Sequence, residues 1–277
     1  MPTRDNAATI GDQLAALAAQ ADAPQWELVV VDNGSSDDTV SIVRSWADRI
    51  GRVRVVPALE RGCISYATNV GTLAAASNKV LLCDADDLVD PAWVRTLSRG
   101  LDEYEIVGGR IDYRRLNSDS VMRSRTHFQV TRLPDWRGQP YAISANMGFR
   151  MEVFESVSGF DESLCPAGFE EIVFAVAAQS EGYRIGFVPE ALVHYRFRDS
   201  LRALLRQHYG YGRGEAQAER LLLASRRGTM LKAIAQQVRG LLRRVPALAS
   251  TDRRWEYLGG WAYVAGYAGE AMTRRRR

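Results

Sequence analysis

The sequence has 277 residues, of which 46% are hydrophobic and 25% are charged. This is enough for a globular protein with one sizeable catalytic domain and an appendage, since domains commonly contain about 100 to 200 residues. The N-terminus lacks a long apolar stretch, and no run of about 18 uncharged apolar residues occurs. We therefore expect neither a signal peptide nor a membrane-spanning helix.

The charges are divided unevenly along the chain. Residues 1–190 contain 18 basic and 27 acidic side chains, whereas residues 191–277 contain 18 basic and 6 acidic ones. An acidic region that binds a polyanion such as a nucleotide diphosphate needs a metal cation, while a basic tail suits an anionic membrane surface or nucleic acid. The two parts are therefore expected to have different partners.

The cysteines do not form a recognisable pattern. Cys63, Cys83 and Cys165 lie far apart and include no CxxC pair. Neither a disulfide framework nor a zinc site is expected from this spacing, and a reducing cytoplasm fits best.

In chain order, a helix is predicted over 9–20 and a buried strand over Leu28 to Val31, which ends at Asp32. The following Asn, Gly, Ser and Asp residues are typical of a turn and a helix N-cap. A second short strand is predicted at Val53 to Val56, followed by a helix over 66–76. Strand, acidic loop and helix thus form the first unit of the pattern.

The pattern repeats at Val80 to Cys83, a strand that again ends in acidic residues, and Asp90-Pro91 is typical of the start of the next helix. Apolar strands that alternate with helices indicate a largely parallel α/β sheet, in which ligands bind outside the carboxyl ends of the strands. The acidic loops after Asp32 and Cys83 are therefore expected to face one crevice.

The second half of the pattern is less regular. Further strands are predicted at 105–107, 109–113, 184–188 and 191–197, and helices at 151–158 and 169–182, while 142–149 returns to small and apolar residues. We expect the polar segment 114–137 to be a mobile loop that carries acceptor specificity. Beyond Ser200 the chain becomes helical and arginine-rich. We therefore predict a catalytic domain at 1–200 and a helical, basic extension at 201–277.

Asp84, Asp86 and Asp87 fall within four positions at a predicted strand end. Hard oxygen ligands on such a turn can hold Mg²⁺ or Mn²⁺ against phosphate oxygens. The alternative is that these acids only cap the next helix, but Asp90 already supplies that cap. We therefore expect a metal and a departing diphosphate at this turn.

Several motifs follow one another in a characteristic order, and they extend from residue 2 to about residue 200. They are Pro2-Thr3, Val29 to Thr39, Tyr66 to Gly71, Leu82 to Asp87, Ala145 to Arg150, Gly159 to Glu162 and Gly168 to Glu171. This series resembles the family-2 glycosyltransferases, which transfer sugars from nucleotide diphosphates with inversion at the anomeric carbon. The resemblance implies a GT-A fold, a three-layer α/β/α sandwich with a mainly parallel central sheet.

The same resemblance implies roles for individual residues. The nucleotide sugar is expected to contact Thr3, Asp32, Asn33, Arg61, Asn69 and Asp84. Divalent metal, Mn²⁺ or Mg²⁺, is expected on Asp86, with Asp84 and His194 as further ligands. The acceptor or phosphate side is expected to involve Asn146, Arg196 and Arg198. His194 is equally consistent with a packed or surface histidine, although imidazole is a competent ligand for manganese.

In that family a carboxylate at the start of a late helix acts as general base on the acceptor hydroxyl, and the matching pair is Glu170-Glu171. Family members usually have Glu-Asp, so the second side chain of the pair is longer here. Two positions further on, Val173 replaces an acid that is often found in the family. The helix dipole keeps such a carboxylate ionised, but the same placement also simply stabilises a helix. We expect Glu171 to be the base, with Glu170 as the alternative.

The family's first strand is normally longer, and only Met1 precedes Pro2 here. We expect that the start codon has been assigned too late; the alternative is that the sheet lacks this strand. In relatives, a segment near 206–214 closes over nucleotide or acceptor.

These observations predict metal-dependent, inverting sugar transfer to an acceptor hydroxyl in cell-envelope or lipid-linked glycan synthesis. The protein is expected in the cytoplasm or at the inner face of the cell membrane. Its tail could dock on an anionic membrane through Trp255, Tyr257, Trp261, Tyr263 and Tyr267. Equally, those aromatic residues could pack against the catalytic domain or form a dimer contact.

The sequence is also compatible with functions of other classes. The chain could be a catalytically silent module that binds nucleotide sugars, because its base position differs from the family's. The arginine-rich tail could bind nucleic acid, although no recognised nucleic-acid motif is present and the predicted site is acidic. A nucleotidyltransferase also uses paired aspartates, but it does not explain the ordered motifs up to Glu171.

Overall fold

The computed structural model describes residues 1–164, 168–224 and 227–273. The Arg274 to Arg277 end of the predicted basic tail lies outside these residues, as does Cys165. The described chain divides into two compact units. Within these residues, unit 1 comprises 1–116, 127–164 and 171–196, and unit 2 comprises 117–126, 168–170, 197–224 and 227–273.

The secondary structure alternates strands and helices up to about residue 194 and is helical beyond it. The strands are β1 (Pro2–Thr3), β2 (Leu28–Asp32), β3 (Val53–Pro57), β4 (Lys79–Cys83), β5 (Leu88–Val89), β6 (Ile106–Asp112), β7 (Asp135–Trp136), β8 (Gln139–Pro140), β9 (Asn146–Arg150) and β10 (Ile185–His194). The helices are α1 (Ile10–Ala18), α2 (Thr39–Ser45), α3 (Ala47–Ile50), α4 (Ile64–Ala74), α5 (Trp93–Glu103), α6 (Asp119–Arg123), α7 (Met151–Ser156), α8 (Glu170–Ser180), α9 (Leu201–Leu223), α10 (Arg227–Leu242) and α11 (Thr251–Met272), with 3-10 turns at Glu162–Leu164 and Val245–Ala249.

Unit 1 contains a three-stranded parallel sheet and a five-stranded mixed sheet. The first has the order β1-β2-β3 and the second the order β4-β9-β6-β10-β5. In the second sheet β6 and β10 are parallel, while β9 and β5 are antiparallel to their neighbours. The predicted α/β fold is confirmed, and the strands predicted at Leu28 to Val31 and Val53 to Val56 are present.

Two large hydrophobic cores stabilise the described part of unit 1, beside a small cluster at Val31, Ala58 and Ala67. The larger packs α1 and α5 against β2 and β10, with Ile10, Leu14 and Leu97 fully buried. This follows from the spacing of apolar residues in the helices and from the β-branched run in β2. The smaller core contains stacked and tilted phenylalanine rings, whose centroids lie 4.5 to 6.3 Å apart, at Phe149, Phe154, Phe160 and Phe174.

Two pairs of predicted strands are single strands in the structure. β6 runs without a break through Gly108 and Gly109, although glycine weakens the strand pattern in the sequence. β10 continues through Pro189, where the register with β6 shifts between Val188 and Leu192. Proline has no N–H to donate, so it occupies the irregular part of the strand.

The segment 114–137 is more structured than the predicted mobile loop. It contains α6, which Ser118 caps by accepting a hydrogen bond from the Val121 N–H at 3.4 Å. It ends in the short hairpin of β7 and β8. The expectation about the cysteines also needs correction, since Cys63 is disulfide-bonded, whereas Cys83 is free and buried.

Unit 2 is built around close contact between α9 and α11. A Cβ on Gly212 would lie 1.9 Å from the Tyr263 carbonyl oxygen, and one on Gly266 would lie 2.0 Å from that of Tyr209. Only glycine allows the two backbones to approach this closely. Gly212, in the segment 206–214, therefore lies within helix α9 and allows it to pack closely on α11.

The aromatic residues of α11 lie mostly inside unit 2. Tyr267 is fully buried and donates a hydrogen bond to Glu219 at 2.5 Å, and Tyr263 donates to Glu215. Tyr257 is also buried, against Trp261. Within the described ranges no helix is long and apolar enough to cross a membrane.

Gly212→Ala tests the α9–α11 contact. The new methyl group clashes with backbone, so we expect the free energy of unfolding to fall by about 3 kcal/mol or more. Gly240→Ala in α10 is the control, because nothing lies within 4 Å of its Cβ position; it should be neutral or stabilise by up to about 1 kcal/mol. Urea unfolding of both variants measures the difference, and equal stability would contradict the close-contact account.

Candidate active site

The acidic turn after β4, Asp84 to Asp87, is held in place by both neighbouring elements. Asp87 is buried and its Oδ1 accepts a hydrogen bond from the Arg196 N–H at 2.7 Å. The Arg196 guanidinium Nε donates to the Asp86 carbonyl oxygen at 2.9 Å. The turn is thus tied to the residues that follow β10, and the side chains of Asp84 and Asp86 stay partly exposed.

Gln13 of α1 holds the same turn from the other side. Its side chain is fully buried; Nε2 donates to the Asp84 carbonyl oxygen at 2.9 Å, and Oε1 accepts from the Val89 N–H at 3.0 Å. One amide therefore closes the loop between β4 and β5. Both backbone groups would be left without this partner if the amide were lost.

Asp112 and His194 form a pair beside the turn. They lie opposite each other in the β6–β10 register, and His194 Nδ1 is 3.0 Å from Asp112 Oδ2. Burial alone would raise the pKa of Asp112, but the hydrogen bond from His194 and those from the backbone of Arg114 and Arg115 outweigh it and the pKa is lowered. A carboxylate on Nδ1 orients the ring and leaves Nε2 for a ligand.

These groups share one edge of the sheet because of the strand directions. β4 is antiparallel to β9, β9 is antiparallel to β6, and β6 is parallel to β10. β4, β6 and β10 therefore run in the same direction, and their carboxyl ends lie on the same side. We call the resulting group the acidic edge; its members are Asp84, Asp86, Asp87, Asp112 and His194.

The loop after β2 has its own internal bonding. Asp32 Oδ1 accepts from the Ser35 N–H at 2.9 Å, and Gly34 adopts a positive φ of 81° that allows the turn. Asn33 Nδ2 donates to the carbonyl oxygens of Ala58 and Arg61, and so fixes the neighbouring loop. The Asp32 side chain is half-buried at the carboxyl end of β2, where a base could be bound.

Two predicted nucleotide contacts have clear structural partners. Thr3 is buried, and its hydroxyl donates to Asn6 Oδ1 at 3.0 Å. Asn69 bonds both the N–H and the carbonyl of Phe160, and its Nδ2 also donates to Glu162 at 3.0 Å. Both side chains hold loops in position within unit 1.

Arg61 is close to the same loop as Asn69 and more exposed. Its Nη1 lies 2.8 Å from Glu162 Oε2, and its side chain is 58% exposed. An exposed ion pair of this kind contributes little to stability. The guanidinium is therefore available to a phosphate at little cost in folding.

Asn146 lies in the core and not in a cleft. It is fully buried; Oδ1 accepts from Trp93 Nε1 at 2.8 Å, and Nδ2 donates to the carbonyl oxygens of Arg110 and Ala191. The expected contact of Asn146 with the acceptor is not supported, because its amide is used in joining β9, β6 and β10.

The two predicted phosphate-side arginines fall in different units. Arg196 belongs to unit 1 and holds the acidic turn, as described above. Arg198 belongs to unit 2, is exposed, and its carbonyl oxygen accepts from Arg125 Nη2 at 3.1 Å. The structure of unit 1 therefore brings only Arg196 to the acidic edge.

The two candidate bases at the start of α8 differ in exposure. Glu170 is 4% exposed, whereas Glu171 is half-buried. Burial raises the pKa of the neighbouring Tyr141 phenol, and the Glu171 carboxylate raises it further. The Glu171 carboxylate is thus the more accessible of the pair and lies within electrostatic range of Tyr141.

The residues of the acidic edge fit a metal that is shared with a phosphate ligand. No three His, Cys, Asp or Glu side chains converge as a metal-binding group anywhere in 1–164, 168–224 or 227–273. Mg²⁺ commonly takes only one or two protein carboxylates together with water and substrate phosphates. Asp86 has a partly exposed carboxylate, and the Asp112 contact on Nδ1 of His194 leaves its Nε2 for a ligand, so these two residues are the candidate ligands.

Sequence reasoning missed Asp112, Gln13 and the tyrosines near the edge. Burial, followed by the charge of Asp87, raises the pKa of Tyr113 to about 12, and its ring stacks on His127 with centroids 4.8 Å apart. The strand-end rule that selected Asp32 and Asp84 could also have found Asp112. Nothing in the sequence distinguishes Gln13 from other glutamines.

Comparison with known proteins agrees with this geometry. The structure resembles the mannosyltransferase PcManGT from Pyrobaculum calidifontis, solved with GDP-Man and Mn²⁺, at a TM-score of 0.67 and 21% identity over 98% of this chain and 85% of that one. The fold is thus that of the GT-A glycosyltransferases. Residues 1–158 match glycosyl transferase family 2, so the chain belongs to this family and is a glycosyltransferase.

Relatives with lower coverage point in the same direction. Glycosyltransferase AglE of Haloferax volcanii is 25% identical over 83% of this chain and 75% of its own length. The succinoglycan biosynthesis protein ExoA of Rhizobium meliloti is 27% identical over 69% of this chain, which spans 60% of that relative.

Gln13→Met tests how the acidic turn is held. The substitution keeps the side-chain length but removes both hydrogen bonds, so we expect a loss of about 1 to 3 kcal/mol in the free energy of unfolding. Leu17→Met on the same buried face of α1 should cost less than about 1.5 kcal/mol. Denaturant titrations of both variants supply the comparison, and a Gln13→Met protein as stable as the control would refute this role.

Proposed function

We propose that this glycosyltransferase transfers a sugar from a nucleotide diphosphate sugar to an acceptor hydroxyl, with inversion and with a divalent metal. The acidic edge carries this proposal. Asp84 and Asp86 follow β4 and His194 ends β10, on the side of the sheet where the carboxyl ends of parallel strands bind ligands, and this supports the proposal. PcManGT, which shares the fold, was solved with a nucleotide sugar and Mn²⁺, and this supports the choice of donor and metal.

The donor is proposed to lie between the β2 loop and the acidic edge. Asp32 and Asn33 lie at the end of β2, where they can contact the base, and Arg61 offers an exposed guanidinium for the diphosphate. Thr3 and Asn69 act by positioning these loops. Asp86 and His194 would hold Mn²⁺ or Mg²⁺, and a metal held there would offset charge on the departing diphosphate.

Glu171 is proposed as the general base. It takes the proton of the acceptor hydroxyl, whose oxygen attacks the anomeric carbon while the nucleoside diphosphate leaves from the opposite face. Inversion follows from this single displacement, and no covalent sugar–enzyme species forms. The greater exposure of Glu171 favours it over the buried Glu170, since a base must reach the hydroxyl that it deprotonates.

The acceptor is proposed to be a saccharide or a lipid-linked glycan of the cell envelope, reached from the cytoplasmic side. The naming of one relative as a succinoglycan biosynthesis protein supports a glycan product. We assign the catalytic domain to residues 1–200 and the extension to 201–277. Nucleic acid is not a proposed partner, because the acidic edge repels polyanions that bring no metal.

Donor binding tests the metal site. A panel of nucleotide diphosphate sugars is titrated by calorimetry with and without Mn²⁺. We expect one donor to bind in the presence of metal, and Asp86→Ala to weaken its binding by about 100-fold or more, since even outer-shell changes at metal sites cost about 10- to 100-fold. Asp48→Ala, an exposed aspartate on α3, is the control. Undiminished metal-dependent binding by Asp86→Ala would exclude Asp86 as a metal ligand. A folded protein that binds no donor would contradict the proposed nucleotide-sugar transfer.

Glu171→Gln tests the base. Removing a general base costs about 10²- to 10⁴-fold in rate, so kcat should fall in that range while the donor Kd is unchanged. Transfer from the donor identified above is followed with saccharide and lipid-linked acceptors, with exposed Glu181→Gln at the end of α8 as control. If Glu170→Gln loses activity and Glu171→Gln does not, the roles are reversed. Donor binding without turnover in the wild type would indicate a silent binding module.

A further inference from the structure

α10 exposes an apolar strip to solvent. Leu231 is 47% exposed and Leu242 is 56% exposed, and Ala235 between them is exposed too. The helical period places these three residues on one side of α10. That side adjoins the buried face on which Met230 and Leu241 pack inside unit 2.

A basic strip runs beside the apolar one. Lys232, Arg239 and Arg243 line a single surface groove, together with Ala235, Gln236 and Gly240. None of the three cations takes part in an ion pair with another described residue. Their charges are therefore not neutralised within the described part of the chain.

The exposed apolar character continues past the end of α10. Val245 is 44% exposed and Leu248 is 38% exposed on the 3-10 turn that follows. Residues 227–250 contain five basic residues and no Asp or Glu. We call this surface the α10 face; it comprises Leu231, Lys232, Ala235, Arg239, Leu242, Arg243, Val245 and Leu248.

We propose that the α10 face binds the surface of a bilayer that contains anionic phospholipid. A helix that carries leucines beside lysine and arginine, with low overall hydrophobicity, lies in the plane of the headgroups and buries its apolar side among the acyl chains. Each Lys or Arg near such a surface adds to the attraction. This surface differs from the aromatic one expected from sequence, since Tyr257 and Tyr267 are buried inside unit 2.

The composition of the α10 face favours a bilayer over nucleic acid. Duplex binding is driven by phosphate contacts with cations, and the exposed leucines and valine would then be hydrated for no gain. On a membrane both strips are used at once. The proposal concerns only unit 2 and does not depend on the donor site, so sugar transfer and membrane binding can fail separately.

Co-sedimentation of the full chain with vesicles tests the proposal. Phosphatidylcholine vesicles are compared with vesicles in which about a third of the lipid is phosphatidylglycerol, at about 0.05 M and about 0.5 M salt. We expect binding to the anionic vesicles at low salt, weaker binding at high salt, and little binding to phosphatidylcholine alone. Donor, metal and acceptor are absent from the assay.

Two variant pairs separate the contributions of charge and apolar surface. Arg239→Glu/Arg243→Glu should weaken vesicle binding at least about tenfold, while Arg44→Glu/Arg99→Glu, exposed arginines of unit 1 with the same change in net charge, should not. Leu242→Gln should weaken binding severalfold, whereas Leu73→Gln, at a 73% exposed position of α4, should have no effect.

The outcomes distinguish the alternatives. If both arginine double variants lose vesicle binding equally, net charge alone governs binding. That result would overturn the proposal that the α10 face binds the membrane. If the protein does not bind vesicles but binds duplex DNA tightly and salt-dependently in a parallel anisotropy titration, the partner of the α10 face is nucleic acid and the membrane proposal is wrong. Loss of binding in both α10 variants, with circular dichroism spectra and donor affinities unchanged, would establish the proposal.

Discussion

The common direction of β4, β6 and β10 is the constraint on which the site depends. Because β9 is antiparallel to both β4 and β6, the carboxyl ends of these strands face the same way. Residues that are more than a hundred positions apart, such as Asp84 and His194, are thereby brought to one edge. A sheet with another strand order would place the same motifs apart.

Many of the polar side chains near this edge form hydrogen bonds that keep its strands and loops in position. Gln13 and Arg196 fix the acidic turn from opposite sides, and Asn146 joins three strands from inside the core. Gln13 and Asn146 are fully buried and hydrogen-bonded, so we expect the loss of either side chain to lower the free energy of unfolding. The side chains of Asp86 and Glu171, by contrast, are partly exposed.

Unit 2 is stabilised by a different set of interactions. Its helices approach closely through glycines such as Gly212, and the hydroxyl of Tyr267 donates a hydrogen bond to the buried Glu219. Glu270, buried in α11, is compensated by Arg213 and Arg220 at 3.4 and 3.0 Å. These arginines are used inside the unit, whereas those of α10 remain on the surface. Net charge alone does not tell the two sets apart.

The sequence by itself determined the α/β pattern, the acidic strand ends and the family, because apolar runs and turn residues act locally and the motifs are contiguous. It did not determine that the strands at Gly108 and Pro189 continue unbroken, since neighbouring strands override weak local preference there. It also could not reveal that Asn146 is buried or that Gln13 bridges β4 and β5. Burial and partner choice depend on residues far away in the chain, and only the tertiary structure brings those residues together.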